Sequence, residues 1–199
     1  MKRMSINLSK GQKIDLTKTN PTLNKMFVGL GWDTNKYCGG GDFDLDASIF
    51  MADENGKVTK DSNFIFYNNP TDEAGSVKHS GDNKTGNDSA SGSKDDEVIQ
   101  ITLSKVPADV AKIAFVVTIH EAHARNQNFG MVSNAFIRLV DEATGTELMR
   151  FDLGEDFSIE TAIVAGELYR NGVEWKFHAI GAGHHGGLDV FCKEYGLMV

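Results

Sequence analysis

Apolar and polar residues alternate with a period of two along much of the chain. From Asp42, the run DFDLDASIFMA puts Phe43, Leu45, Ala47, Ile49 and Met51 on one side. Asp42, Asp44, Asp46 and Ser48 fall on the other, the pattern of a strand with one buried face. Ile99, Ile101 and Leu103 alternate with Gln100 and Thr102. Trp175, Phe177 and Ala179 alternate with Glu174, Lys176 and His178. Ile113 to Ile119 (IAFVVTI) is apolar on both faces, as a central strand requires.

Turn signals separate these runs. Asn55-Gly56, Ala143-Thr144-Gly145 and Asn171-Gly172 each follow a strand-like segment. Asn-Gly suits a type I′ hairpin, in which both central residues need positive φ. Short strands with hairpin punctuation predict an antiparallel sandwich or barrel. Helical signals are few. Pro107 to Lys112 suggests a turn or two. In GGLDVFCKEYG, Leu188, Phe191, Cys192 and Tyr195 share a helical face and Gly196 fits the stop, predicting a short helix that plugs the end of the fold.

Composition narrows the picture. The chain has 199 residues, a length suited to one domain, and 40% of them are hydrophobic. No apolar run approaches the roughly 18 residues of a membrane span. The opening MKRMSINLSK has no apolar stretch of the secretory type, so a cytoplasmic location is expected. Cys38 and Cys192 are too few and too far apart for a disulfide framework or a zinc ribbon. A net charge of −8 disfavours nucleic acid, whose phosphates are met by Lys and Arg, and favours cations.

Two acidic groups carry the candidate chemistry. Asp42, Asp44 and Asp46 lie roughly 7 Å apart in sequence along one strand face. The polar segment from Ser80 to Asp96 is long and rich in Gly, Ser, Asn and Asp. Residues 81 to 97 hold five carboxylates (Asp82, Asp88, Asp95, Asp96, Glu97) against Lys84 and Lys94. If this segment folds over the Asp42 strand, each pair of like charges at 4 Å repels by roughly 4 kcal/mol at an effective dielectric near 20. A divalent cation reverses that sign. The ligands on offer are oxygens on a flexible segment, including the Asn83 amide, which suits Ca²⁺ better than Mg²⁺. Few imidazoles and no nearby thiolate argue against zinc or copper. The bland alternative is a solvated acidic loop over a strand with a polar face.

Other motifs carry less. DFDLDAS lacks the Gly and Glu of an EF-hand loop. His120 and His123 in HEAH are spaced i, i+3 after a strand, not i, i+4 on a helix as a zincin needs. His184-His185 reads as a linker into the last helix, His79 as a structural neighbour of the acidic loop, and Trp32 and Trp175 as core aromatics. Gly39 to Asp42 (GGGD) lacks the phosphate-loop pattern.

The chain resembles the TerD-type tellurium-resistance and stress-response family through ordered motifs over nearly its whole length. They are SINLSKGQKIDLTK, GLGWD (29–33), FDLDAS (43–48), GDNKTG (81–86), DDE (95–97), NAFIRLVD (134–141), RFDLGEDFSIETA (150–162) and GELYRNGVEWKFHAIGAG (166–183). The resemblance implies an all-β fold, a two-sheet antiparallel β-sandwich with a short C-terminal helix, as a single domain over residues 4–199. It also implies Ca²⁺ binding through acidic loops, a link to tellurite and other stresses, and no catalytic activity. Carried over by position, the ligand candidates are Asp42, Asp44 and Asp46, then Asp82 and Asn83, then Asp95, Asp96 and Glu97. Asp88 is an extra candidate where residues 87 to 93 (NDSASGS) depart from the usual glycine-rich loop. Two ions best match the number of acids.

The leading reading is therefore a calcium-dependent module whose ordered acidic loop presents a surface to a partner, such as other tellurium-resistance or stress proteins. A metal-dependent hydrolase or phosphoryl-transfer enzyme built on the Asp cluster is the first alternative; it lacks His or Lys groups close to the acids. Calcium-dependent attachment to anionic lipid is the second, and no basic or aromatic cluster by the loop supports that membrane association.

Overall fold

The computed structural model describes residues 5–34, 44–80, 95–153 and 157–198. The first sheet contains β1 (Ile6–Asn7), β3 (Lys25–Thr34), β6 (Val77–His79), β7 (Glu97–Thr102), β9 (Val132–Asp141) and β10 (Thr146–Asp152), in the order β1-β10-β9-β3-β7-β6. The second contains β2 (Lys13–Asp15), β4 (Leu45–Ala52), β5 (Phe64–Ile65), β8 (Lys112–Ile119), β11 (Ala162–Asn171) and β12 (Glu174–His184), in the order β2-β12-β11-β8-β4-β5. Neighbours pair antiparallel, except that the edge strand β1 runs parallel to β10. The expected two-layer β architecture is present.

The alternation read from the sequence builds the core. Leu45, Ala47, Ile49 and Met51 of β4 face the interior with Ile113, Phe115 and Val117 of β8. Ile99 and Ile101 of β7, Ile137 and Leu139 of β9, and both Trp32 and Trp175 meet them there. Burying one side chain of this size contributes about 1.5–3 kcal/mol, so such facing layers dominate the favourable terms. β8 lies between β4 and β11 and is buried on both faces, as its unbroken apolar run requires.

Several local expectations are corrected. The face of β4 opposite the core is closed: Ser48 is buried, and Phe50 joins Ala114, Val116, Ala162 and Val164 in a second apolar cluster. The helix α2 (Leu188–Glu194) covers that cluster with Phe191 and Cys192, so it lies on the outer face of the second sheet and does not plug the sandwich end. The Phe50 ring stacks between those of Tyr195 and Phe64 at 4.4 and 4.7 Å. Gly196, at φ +85°, stops the helix as predicted, and Leu197 N–H donates to the Cys192 carbonyl at 2.7 Å.

Pro107 to Lys112 forms no helix. Val110 N–H closes a single turn on the Pro107 carbonyl, and Lys112 already begins β8. Arg170 takes the carbonyls of Val106, Pro107 and Val110, two of which a continuing helix would need for its own bonds, and Lys112 is committed to the β8 ladder. The β11–β12 hairpin pairs Asn171 with Glu174, so the two loop residues are Gly172 and Val173. Only Gly172 has positive φ there, as the first loop position of a type II′ turn requires, in place of the type I′ turn expected at Asn171-Gly172. Asn55-Gly56 turns the chain on itself through Asp53 N–H and the Lys57 carbonyl, early in the connection from β4 to its neighbour β5 and not as a tight hairpin between them. Ala143-Thr144-Gly145 does connect the paired strands β9 and β10.

Candidate functional site

The acids of interest gather where β4 and β7 begin, one strand in each sheet. Of the eight predicted ligands, Asp44, Asp46, Asp95, Asp96 and Glu97 fall within the described residues. Asp42, Asp82 and Asn83 lie outside them, as do Asp88, Cys38 and Gly39 to Asp42.

The three consecutive acids of the DDE run take three different directions. Asp95 lies across Gly29 and meets Arg138 through two parallel bonds, Nε to Oδ1 at 2.7 Å and Nη2 to Oδ2 at 2.6 Å. The same guanidinium reaches Glu147 through Nη1 at 3.1 Å. A Cβ on residue 29 would stand 2.3 Å from Asp95 Oδ1, so the first glycine of GLGWD makes the room this carboxylate occupies. Both oxygens of Asp95 are thus committed to a planar cation, the geometry Arg is suited to.

Asp96 turns to the end of β3. Its backbone N–H donates to the Leu30 carbonyl at 2.7 Å, and its Oδ2 accepts the Trp32 N–H at 2.8 Å. The carboxylate continues the ladder for β3 past the point where β7 stops pairing at Leu30. Burial pushes the Asp96 carboxyl up to about 6; the Trp32 bond opposes this, and the charges of Asp33, Asp95 and Glu97 add to it. Crowded, half-buried carboxylates hold their protons for this reason.

Glu97 points into the sandwich in register with Ile99 and Ile101. Its side chain is 1% exposed, its Oε2 accepts the Ala47 N–H of β4 at 2.7 Å, and His79 Nε2 lies 3.5 Å from that oxygen. Burial alone would lower the His79 imidazole. The Glu97 hydrogen bond and charge, a bond to the Ala47 backbone and the charge of Asp46 outweigh it, and the net shift is upward.

Immediately before β4, the Asp44 carbonyl accepts His120 N–H at 2.8 Å. Asp44 Oδ1 is itself buried and has no hydrogen-bond partner among the described residues. Asp46 Oδ2 lies 3.6 Å from His120 Nδ1. HEAH is a strand end followed by one helical turn, α1 (Ala122–Arg125), and His120 serves Asp44 and Asp46. Among the described residues, no three His, Cys, Asp or Glu side chains converge closely enough to hold an ion by themselves.

Asp33 is an acid that pattern reading passed over as a ligand, although it ends the GLGWD motif. It accepts a 2.7 Å bond from Asn134 Nδ2 and adds its charge to Asp96. Asn134 has φ +53°, an uncommon conformation for a residue inside a strand, and the β3–β9 register shifts between Gly31 and Asp33. The position of His79 and Glu97 was readable. In both β6 and β7 the buried parity runs through them, Val77–His79 and Glu97–Ile99–Ile101. Cys192 is buried, and desolvation raises its thiol, so it is a poor nucleophile. No helix among the described residues is long and apolar enough to cross a membrane.

A family model, the TerD domain, matches residues 4–195. The chain is 61% identical to general stress protein 16U of Bacillus subtilis (strain 168), over 98% of this chain and 100% of that one. It is 55% identical to the tellurium resistance protein TerD of Serratia marcescens, with 98% of each chain covered. A crystal structure of a homologue of telluride resistance protein (TerD) from Streptomyces coelicolor A3(2) shares the fold with a TM-score of 0.68 at 19% identity, covering 88% of this chain and 99% of that one. The match over almost the full length, with the sandwich and its acid-bearing strand starts, means that the chain belongs to the TerD-domain family.

Proposed function

We propose that this chain is a calcium-binding protein of the cellular stress and tellurite response, which acts by binding and not by catalysis. The observation that carries this reading is the Asp44 carboxylate, whose Oδ1 is buried and without a donor among the described residues. An anionic oxygen removed from water with no partner is costly, by about 1–3 kcal/mol or more. Asp96, pushed up to about 6 by burial and by three neighbouring acids, is in similar deficit. A hard dication would meet both needs, and the candidate ligands are carboxylate and amide oxygens.

Asp44, Asp46 and Asp96 are the described residues that would each contribute an oxygen, none of them closing a site alone, and Asp42, Asp82 and Asn83 are the further ligand candidates. Asp95 and Glu97 are framework, because their oxygens already serve Arg138 and the Ala47 amide. The ion would supply charge neutralisation. The protein contributes oxygens fixed on two strands and a segment, 81–94, whose stems are tied together by Ser80 N–H and the Val98 carbonyl at 2.9 Å. Two ions fit the number of acids in the full sequence. Ordering of that segment would create the surface read by a partner, in keeping with relatives named for general stress and tellurium resistance. The absence of nucleic acid as a partner accords with the net charge of −8.

The test is thermal unfolding of chelator-treated protein during titration with Ca²⁺, with Mg²⁺ as control. At a hundredfold excess over Kd, a single site adds about 2.7 kcal/mol of stability, which appears as a clear rise in Tm. An unchanged Tm at millimolar Ca²⁺ overturns the reading. Asp44→Asn should remove most of the rise.

A further inference from the structure

Two ionisable side chains stand on the core-facing side of their strands, where alternation calls for apolar ones. His79 follows Val77 inward on β6, and Glu97 precedes Ile99 inward on β7. Each side chain is 1% exposed. Burying an acid and an imidazole together costs several kcal/mol in desolvation, which their attraction offsets only with good geometry. Such a pair adds little to stability, so its contribution must be sought in the structure that it specifies.

We propose that His79 and Glu97 form an internal clasp that positions the acids of β4 against those at the start of β7, each acting as a positioning residue and neither as an ion ligand. The inference rests on the calcium reading for its consequence and on geometry for its existence. Glu97 belongs to the first sheet, and the amide that it accepts, Ala47 N–H, belongs to the second. β5 pairs with β4 only at Ile49 and Phe50, so the Ala47 amide lies beyond the reach of that edge strand, and the carboxylate meets it. Ala47 is one residue from Asp46 and three from Asp44, while Glu97 adjoins Asp96.

The other end of the clasp is anchored equally well. His79 N–H donates to the Pro70 carbonyl at 2.8 Å, and His79 stands opposite Ile99 in the β6–β7 ladder. One residue further on, Val98 N–H donates to Ser80 Oγ at 3.2 Å. The clasp therefore ties the start of β7, with Asp96, to the start of β4, with Asp44 and Asp46. A displacement of about 1 Å there would separate oxygens that must share one ion at 2.3–2.6 Å.

The test combines amide hydrogen exchange in calcium-free protein with calcium affinity by titration calorimetry. The variants are His79→Leu, Glu97→Met, Glu97→Gln and the double His79→Leu/Glu97→Met. The double variant exchanges a buried ionic pair for apolar groups and should remain folded, with a Tm at or above that of the single variants. In it, the Ala47 amide should exchange at least about tenfold faster while the β8 amides keep their protection. Its calcium affinity should fall by about tenfold or more, as for lost supports around a metal. His79→Leu alone should weaken calcium although histidine offers no oxygen.

Unchanged exchange at Ala47 in the double variant overturns the clasp. So does a Glu97→Gln loss as large as that of Asp44→Asn alongside an unaffected His79→Leu, because Glu97 would then be a ligand. Wild-type protein that binds no calcium overturns the calcium reading instead, and the clasp is then decided by the Ala47 amide.

Discussion

Two groups of carboxylates in this molecule, which meet in sequence at the consecutive residues Asp95 and Asp96, live under opposite electrostatic regimes. On the outer face of the first sheet, Asp95 and Glu147 share one guanidinium, that of Arg138. The Arg138 side chain lies over Phe27, and neighbouring Arg150 stacks 3.7 Å from the Phe136 ring centroid. Asp95 and Glu147 both have a cation, and the arginine stems shield the aromatic rings of a face that no helix among the described residues covers. At the strand starts, Asp44 has a buried oxygen without a donor, and Asp96 is pushed up to about 6. The difference separates acids that build the fold from acids available to an ion. Proximity in sequence does not decide the matter; the nearest fixed cation does.

Removal of the cation should break the compensated patch most severely. Arg138→Met removes both bonds that the Asp95 carboxylate, 2% exposed, receives from the guanidinium, and should cost about 3 kcal/mol in urea unfolding at pH 7. A loss under about 1 kcal/mol would mean that solvent already compensates Asp95, and the contrast would fail.

Asp96 sharpens the other side. Its folded-state value, about 6, stands above the ordinary 3.8 of an aspartate. The protonated form therefore contributes stability that is full below about pH 4 and is lost as the pH rises through about 6. Calcium-free protein should lose melting temperature across that window, and Asp96→Asn should flatten this part of the profile. On the calcium reading proposed above, saturating calcium should flatten it too, because ion and proton would compete for the same oxygens, and binding near pH 6 should release protons. An identical pH profile for wild type and Asp96→Asn would remove Asp96 from the uncompensated group.

The smallest effect belongs to an exposed pair. Asp189 and Lys193, 3.2 Å apart on α2, are 59% and 65% exposed. Lys193→Ala should change stability by less than about 0.5 kcal/mol, since solvent screens both charges. A larger loss would show that compensation matters on this protein wherever it occurs, and not only where water is excluded.

Much of the architecture could be read from one-dimensional pattern. The interior face of β4, the doubly buried β8, the alternation of β7 and β12, and the helix ending at Gly196 all follow from local spacing, because side-chain direction in a strand or helix is fixed by neighbours one to four residues away. The misreadings share a cause. Asp42, Asp44, Asp46 and Ser48 predict a polar outer side for β4, yet further along that side carries Phe50 under α2. The hairpin at Asn171 slipped by one residue because the partner strand sets the register, which the dipeptide alone cannot reveal.

The sequence by itself determined that this chain would form a layered β structure with a surplus of acids at particular strand starts, and its motifs determined the family. Only the tertiary structure decided what each acid does. Asp95, Asp96 and Glu97 are consecutive, yet they reach an arginine on the outer sheet face, an amide at the end of β3 and an amide in the opposite sheet. Covalent neighbours on a strand are held apart by its geometry, while their partners come from residues tens of positions away. Charge compensation is therefore a property of the fold that no local window of sequence contains.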